Sequence, residues 1–266
     1  MPDSQPNVIQ AVSLRVRDVH KLTAFYRDVI GLVILAESTD RCILVGRGGG
    51  HLELVASPTS ELAAHSAGLF HVAWLHSTRY GLAQHLHRLI EHQVPLQGMS
   101  DHLVSEAIYL ADPEGNGIEI YRDRPRDEWQ FDGDSIRMAT LPLNVRDLLS
   151  TPDTNEADSL RIGHVHLRVA EIPNTEKFYR ETLGMDLMTR YGPAASFLSY
   201  GGYHHHLGIN TWESRGQPAV PNALGLRDVT ISLDLERYEK AKSVAGGDRL
   251  VDPSGNAIHI VDGREV

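Results

Sequence analysis

The sequence has 266 residues, 41% of them hydrophobic and 23% charged, which is enough for two domains or one large domain with a buried core. The net charge of −10 argues against a nucleic-acid or anionic-membrane surface, and no stretch approaches the roughly 18 apolar residues that span a bilayer. The single cysteine, Cys42, excludes an intrachain disulfide framework, and its apolar neighbours predict a buried thiol. We therefore expect a cytoplasmic protein that binds neither nucleic acid nor membrane.

The chain contains an internal repeat. Ile9–Val16 alternates like a half-buried strand, and residues 19–30 have apolar side chains at helical spacing before Gly31. The same order of strand and helix returns at residues 162–169 and 175–184. Ala-Phe-Tyr-Arg-Asp-Val-Ile-Gly, which ends at Gly31, closely matches Lys-Phe-Tyr-Arg-Glu-Thr-Leu-Gly, which ends at Gly184. Such similarity indicates duplicated structural units.

Two more copies complete the pattern. A strand is predicted at 68–75 with a helix at 80–92, and another strand at 225–233 with a helix at 236–244. Residues 112–120 (Asp-Pro-Glu-Gly-Asn-Gly-Ile-Glu-Ile) parallel 252–260 (Asp-Pro-Ser-Gly-Asn-Ala-Ile-His-Ile), and each segment is typical of a tight turn before a last strand. Four strand–helix–strands units therefore begin near residues 8, 67, 161 and 224. The polar residues 123–159 are interpreted as a connector, anchored by Trp129 and Phe131.

This pattern resembles the vicinal oxygen chelate superfamily, which includes glyoxalase I, fosfomycin-resistance proteins and extradiol ring-cleavage dioxygenases. The resemblance covers nearly the whole chain apart from the connector. It implies an α+β fold of four βαβββ modules whose curved sheets pair into cups around a divalent metal. The predicted division is an N-terminal pair of modules at 8–122, the connector at 123–159 and a C-terminal pair at 160–266.

An ungapped alignment of the four copies defines the positions where this superfamily carries metal ligands. The equivalent residues are Ala11, His71, His164 and Asp228 on the first strands, and Glu53, Glu119, His205 and His259 on the last strands. His205 enters this set when Gly49-Gly50 is aligned with Gly201-Gly202. Seven of the eight side chains can bind a metal, and Ala11 cannot.

The second copy carries the most specific motif. His102, Tyr109, the turn Asp-Pro-Glu-Gly that ends at Gly115, and Glu119 follow one another in the order of the extradiol dioxygenase signature. The chain looks closest to catechol-2,3-dioxygenase-like members. It departs from them at Ser100, where the family usually has Gly, Asn, Thr or an aliphatic residue. It also carries the signature in its second module, whereas extradiol enzymes carry it in the fourth.

The resemblance implies a site in a cup made by modules two and three. There His71, Glu119 and His164 would be the metal ligands. His205 would be the acid–base residue, and His102 and Tyr109 would hydrogen-bond a substrate oxygen. Modules one and four would then form a degraded cup. If modules instead pair one with two and three with four, two other ligand sets arise: Glu53, His71 and Glu119 in one cup, and His164, His205, Asp228 and His259 in the other.

Two neutral histidines and one carboxylate are typical of non-haem iron(II) enzymes. The sequence therefore predicts an iron(II) extradiol dioxygenase that takes a small aromatic diol and O2, with Mn(II), Ni(II) or Zn(II) as other metals. The first alternative is a glyoxalase-type lyase or isomerase with four ligands, the fourth being His205. The second is a non-catalytic small-molecule-binding protein. The sequence leaves homo-oligomerisation open.

Two groups of histidines outside the ligand set also carry expectations. Strand alternation in His204-His205-His206 predicts that His205 faces the cup while the other two face away, and His206 is expected to be structural. His85, His87 and His92 are predicted to lie on the surface of the second helix.

Overall fold

The computed structural model describes residues 7–133 and 135–264. The first module consists of β1 (Ile9–Val16), α1 (Val19–Phe25), a π-helical turn (Tyr26–Ile30), β2 (Val33–Glu37), β3 (Arg41–Val45) and β4 (His51–Ala56). The second consists of β5 (Gly68–His76), α2 (Arg79–Glu91), β6 (Leu96–Asp101), β7 (Ser105–Ala111) and β8 (Gly117–Asp123). The connector contains a 3₁₀ turn (Arg126–Glu128), β9 (Phe131–Asp132), β10 (Ser135–Ile136), β11 (Leu141–Pro142) and α3 (Val145–Leu149).

The C-terminal half repeats the pattern. The third module consists of β12 (Leu160–Arg168), α4 (Ile172–Glu181), β13 (Asp186–Tyr191), β14 (Ala195–Ser199) and β15 (Leu207–Asn210). The fourth consists of β16 (Gly225–Leu233), α5 (Leu235–Ala245), β17 (Arg249–Val251) and β18 (Ala257–Asp262). The predicted α+β fold of βαβββ modules is confirmed, although the described part of the fourth module has only two strands after its helix. No helix within 7–133 and 135–264 is long and apolar enough to cross a membrane.

The modules pair across the chain. A nine-stranded sheet, in the order β11-β6-β7-β8-β5-β12-β15-β14-β13, joins modules two and three through antiparallel β5 and β12. A seven-stranded sheet, in the order β17-β18-β16-β1-β4-β3-β2, joins modules one and four through antiparallel β1 and β16. The two-with-three pairing is thus the one formed, and each sequence half supplies one module to each sheet.

The repeated sequence motifs tie neighbouring modules together. The Tyr26 hydroxyl donates to Asp112 Oδ2 at 3.0 Å, which links the first helix to the turn before β8. In the same way the Tyr179 hydroxyl donates to Asp252 Oδ2 at 3.0 Å, next to the turn before β18. All four side chains are buried. The Phe-Tyr-Arg and Asp-Pro motifs are therefore structural partners of each other.

Of the two predicted connector anchors, one is confirmed and one is wrong. Trp129 is an anchor, because it is 7% exposed and packs with Ile136, Met188 and Tyr203. Phe131 is not an anchor, because it lies on the short β9–β10 ribbon and is 57% exposed.

On the second helix, His87 and His92 are exposed as predicted, whereas His85 is buried. The His85 side chain faces β5, where its Nδ1 lies 2.9 Å from His76 Nε2. His76 Nδ1 in turn lies 2.7 Å from Asp158 Oδ2.

Candidate metal centre

Three predicted ligands come together on adjacent strands of the nine-stranded sheet. Their ligand atoms, on His71, Glu119 and His164, all lie within 4.8 Å of one another. His71 Nε2 is 2.9 Å from Glu119 Oε2, and His164 Nε2 is 3.1 Å from the same oxygen. These residues belong to β5, β8 and β12, and β5 lies between the other two strands. The roughly 4.8 Å spacing of neighbouring strands brings their side chains to one point.

The charges of this cluster suit a metal site. Burial opposes the charged form of Glu119, but His164 and His71 outweigh it and hold the pKa of the carboxyl well below its usual range. Burial lowers the pKa of His164 to about 4, partly offset by the Glu119 carboxylate. Glu119 is therefore ionised and His164 neutral at pH 7, the protonation states that metal ligands require.

An unsatisfied nitrogen provides an independent test of the fit. His71 Nε2 is buried and makes no hydrogen bond of acceptable geometry within the described chain, despite its contact with Glu119. Buried polar atoms normally have partners, so such an atom calls for an explanation. A divalent cation between the two imidazoles and the carboxylate would accept this lone pair. The donor set therefore fits a metal ion.

His205 lies beside this cluster and ends a chain of hydrogen bonds. Its ring centroid is 4.0 Å from that of His164, and its Nδ1 is 2.8 Å from His204 Nδ1. His204 Nε2 lies 2.7 Å from Asp123 Oδ1. Because a carboxylate only accepts, His204 donates to Asp123 and accepts from His205. The remaining nitrogen of His205, Nε2, is then an acceptor on a residue that lines the cavity.

His102 and Tyr109 form a second dyad. His102 Nδ1 lies 2.7 Å from the carbonyl oxygen of Ala139, so this nitrogen carries the proton and donates. His102 Nε2 accepts from the Tyr109 hydroxyl at 2.6 Å. Burial, followed by the charge of Glu119, raises the pKa of Tyr109 well above its usual value and keeps the phenol protonated. The connector thus fixes the tautomer of His102, which the sequence did not indicate.

The predicted strand at the histidine run is wrong. Residues 203–206 form a bend before β15, so strict alternation does not apply, and all three histidines are buried. His206 accepts from the Tyr200 backbone N–H at 3.3 Å and is structural as expected. His204, placed away from the cup by alternation, supports His205 instead.

A cavity of about 680 Å³ opens beside the cluster. The side chains that line it come from both modules of the sheet, from the connector and from the loops after β4 and β15; they include Leu62, Phe70, His102, Met138, His166, Phe197, His205 and Trp212. Sequence alignment missed His166, although it lies two residues after His164 on the same strand face. Burial, together with the neighbouring His71 and His164, lowers the pKa of His166 well below its usual value, so it is neutral.

Comparisons with known proteins agree with this arrangement. Residues 8–120 match the family model of the Glyoxalase/Bleomycin resistance protein/Dioxygenase superfamily. The chain is 39% identical over 231 residues to the catechol-2,3-dioxygenase of Bacillus subtilis (strain 168), covering 83% of this chain and 80% of that protein.

The chain belongs to the Glyoxalase/Bleomycin resistance protein/Dioxygenase superfamily.

Solved structures show the same superfamily fold. A proposed dioxygenase from Bacillus subtilis subsp. subtilis str. 168 superposes with a TM-score of 0.68 at 13% identity, covering 97% of this chain and 86% of that one. Glyoxalase I from Zea mays superposes with a TM-score of 0.60 at 17% identity, covering 97% and 92% of the two chains.

The strand registers of this superfamily member correct one alignment. Glu119 lies opposite Ala73, two residues after His71, and Glu53 occupies the same place opposite Ser13. In module three the residue opposite His166 is Gly208, so His205 is not the repeat equivalent of Glu119. A Cβ at Gly208 would lie 2.7 Å from the His166 ring. The His166 side chain therefore fills the space above this position.

The equivalent positions in the cup of modules one and four do not form a second cluster. Glu53 accepts from Ser13 Oγ at 2.6 Å and pairs with Arg41 and Arg227 at 2.5 and 3.2 Å. His259 instead faces Asp248, at 3.5 Å. Within the described ranges, the group in the cup of modules two and three is the one set of three or more His, Cys, Asp or Glu side chains with metal-binding geometry. In the cup of modules one and four, the Glu53 carboxylate is therefore paired with arginines and does not face histidine ligands.

Proposed function

We propose that the protein is an iron(II)-dependent extradiol dioxygenase that opens the ring of a catechol-type substrate with O2. The observation that carries this proposal is the His71–Glu119–His164 cluster facing one cavity with His205 and the His102–Tyr109 dyad. The 39% identity to a protein named catechol-2,3-dioxygenase supports it. The substrates would be a small aromatic diol and O2, and iron(II) is favoured because two imidazoles and one carboxylate are typical of such oxygenases.

His71, Glu119 and His164 would hold the metal. When bound there, iron(II) supplies a Lewis acid and a redox centre for the reaction of a diol with O2. One carboxylate leaves the centre with a net positive charge, which lowers the proton affinity of a nearby phenolic oxygen.

His205 is suited to move the proton. Burial, followed by the charge of neighbouring histidines, lowers its pKa well below the usual value, so the ring is neutral and able to accept. The hydrogen bonds from His205 to His204 and from His204 to Asp123 leave Nε2 as the accepting atom. In this role Nε2 takes a phenolic proton from the diol and returns it as the ring opens.

Tyr109 and His102 are suited to stabilise charge on a substrate oxygen. The hydroxyl of Tyr109 is buried, stays protonated and lines the cavity. In the structure this proton is donated to His102 Nε2, so the hydroxyl would rotate from His102 to a substrate oxygen. The new hydrogen bond would stabilise negative charge that develops during the reaction. His102, held by the Ala139 carbonyl, orients that hydroxyl.

The lyase or isomerase alternative uses His205 as a fourth ligand. The 4.0 Å separation of the His164 and His205 rings is the observation that favours it. The metal-binding group nevertheless contains three residues without His205, whose Nδ1 is engaged with His204. The three-ligand set supports the dioxygenase.

The deciding experiment is an aerobic assay of iron(II)-loaded protein with a panel of catechols. Ring opening gives a yellow product and consumes O2, which an electrode measures separately. The variant His71→Ala should lose both signals. Consumption of methylglyoxal–thiol adducts without O2 uptake would favour the lyase instead, and purified protein that retains no metal would favour the non-catalytic alternative.

A further inference from the structure

Strand β12 carries three functional side chains along one face. His164, His166 and Arg168 alternate on the strand, and the last two line the cavity. At about 3.3 Å per residue, the Cα of Arg168 lies about 13 Å from that of His164. The strand therefore places a cation at a fixed distance from the candidate metal centre.

The guanidinium of Arg168 has an unmet donor. Its Nη1 donates to Glu213 Oε2 at 3.1 Å, but its Nε is buried and makes no hydrogen bond within the described chain. The Glu213 side chain is 54% exposed, so this ion pair is a weak surface contact. A cavity-lining arginine whose buried N–H has no partner is suited to donate a hydrogen bond to an oxygen of a ligand.

Other charged groups of the cavity wall are already engaged. Arg190 donates to both oxygens of Glu176, at 2.8 and 2.6 Å. Glu114 accepts from the backbone N–H groups of Arg17 and Asp18. Arg168 thus differs from these residues in having a donor without a partner.

Aromatic rings form part of the cavity wall beside the metal centre. Phe70, His166 and Trp212 contact one another edge to face, with ring centroids 5.2 to 5.5 Å apart. Phe70 also lies 5.3 Å from the His71 ring. A planar apolar group would pack along this wall while its oxygens face the metal centre.

Together these features define an extended subsite. We propose that Arg168 is a specificity-determining residue that binds the carboxylate of a short side chain on a ring-substituted catechol. This inference rests on the proposed dioxygenase function. Because the Cα atoms of His164 and Arg168 are about 13 Å apart along the strand, a catechol held at the metal centre would need a short side chain to bring a carboxylate to the guanidinium. A carboxylate matches the planar fork of arginine and displaces the exposed Glu213 as its partner.

The test compares three ligands of similar shape: 3-(3,4-dihydroxyphenyl)propanoate, its methyl ester and 4-butylcatechol. Dissociation constants are measured by calorimetry without O2 on iron(II)-loaded protein, so binding is read independently of turnover. The variants are Arg168→Met and Glu213→Gln, with Arg41→Met on the other sheet as a matched control. Arg168→Lys serves as the conservative replacement.

Wild-type protein should bind the carboxylate about ten- to a hundredfold more tightly than the ester, and Arg168→Met should abolish that preference. Glu213→Gln should strengthen carboxylate binding by removing the competing anion, Arg168→Lys should keep part of the preference, and Arg41→Met should change nothing. Equal affinity for all three ligands, or equal weakening of all three in Arg168→Met, would overturn the assignment. Selective binding without ring opening would refute the dioxygenase function alone.

Discussion

Asp123 accepts a hydrogen bond from His204 at 2.7 Å, and this contact orients the residue next to His205. Asp123 ends β8, and the histidine run lies 81 residues later in another module. Tyr203 donates its hydroxyl to the other oxygen of the same carboxylate at 2.8 Å. The proposed base is therefore held by a hydrogen-bond network that crosses the module boundary.

We expect Asp123→Asn to lower kcat about ten- to a hundredfold, because the uncharged amide no longer imposes the tautomer that leaves His205 Nε2 free to accept. The measurement is steady-state ring opening of a catechol together with iron content. Iron content should stay at the wild-type level, because Asp123 does not reach the ligand cluster. An unchanged kcat would show that His205 does not depend on this network.

Glu119→Ala should abolish iron retention and activity, because it removes the one carboxylate that both ligand histidines face. Glu53→Ala is the matched control, since Glu53 holds the equivalent position in the other sheet but pairs with arginines. Metal analysis after gel filtration measures the iron retained by each variant, and the Glu53→Ala variant should keep its iron. The assignment fails if the Glu119 variant remains fully loaded and active.

Tyr109→Phe should lower kcat/KM about ten- to a hundredfold while leaving iron content unchanged, because only the hydroxyl donor is lost. The change is read by steady-state kinetics with one catechol. Tyr200→Phe provides the control, as its hydroxyl donates to the Leu183 carbonyl at 2.8 Å and it does not line the cavity. Equal kinetics of the two variants would remove Tyr109 from the mechanism.

Tyr26→Phe and Tyr179→Phe should each lower the free energy of unfolding by about 1–3 kcal/mol, because each leaves a buried aspartate with one donor fewer. Urea unfolding measures the change. The two losses should be nearly additive, since the pairs share no partner. Tyr238→Phe, whose hydroxyl contacts the exposed Lys242, should change the free energy by less than about 0.5 kcal/mol.

His85 should make stability fall in mild acid. Burial, followed by the charges of His76 and Arg88, lowers its pKa well below 6.5, so the folded protein does not protonate it while the unfolded chain does. The contribution of neutral His85 to the free energy of unfolding is fully present above pH 6.5. It decreases as the pH falls below that value, by up to about 1.4 kcal/mol per pH unit. Urea unfolding at pH 8 and pH 5.5 should show a smaller loss for His85→Gln than for wild type. A matching loss in both would place the titrating groups elsewhere.

The sequence by itself determined the four modules and the ligand positions on their strands. Strand alternation and the matched Phe-Tyr-Arg and Asp-Pro motifs depend on local chemistry. The ungapped alignment placed His71 and His164 at equivalent positions of the first strands, and Glu119 at the ligand position of a last strand. These three side chains do converge in the structure. The function that follows from them remains a proposal.

Only the tertiary structure decided how the modules pair. Their first strands have similar patterns, so either pairing satisfies the local sequence, and the β5–β12 and β1–β16 contacts join residues distant along the chain. The same pairing determines that Asp123 reaches His204 and that Ala139 reaches His102. It also buries His85, leaves Phe131 exposed and places Arg168 in the cavity, because burial and hydrogen-bond partners depend on elements that are remote in sequence.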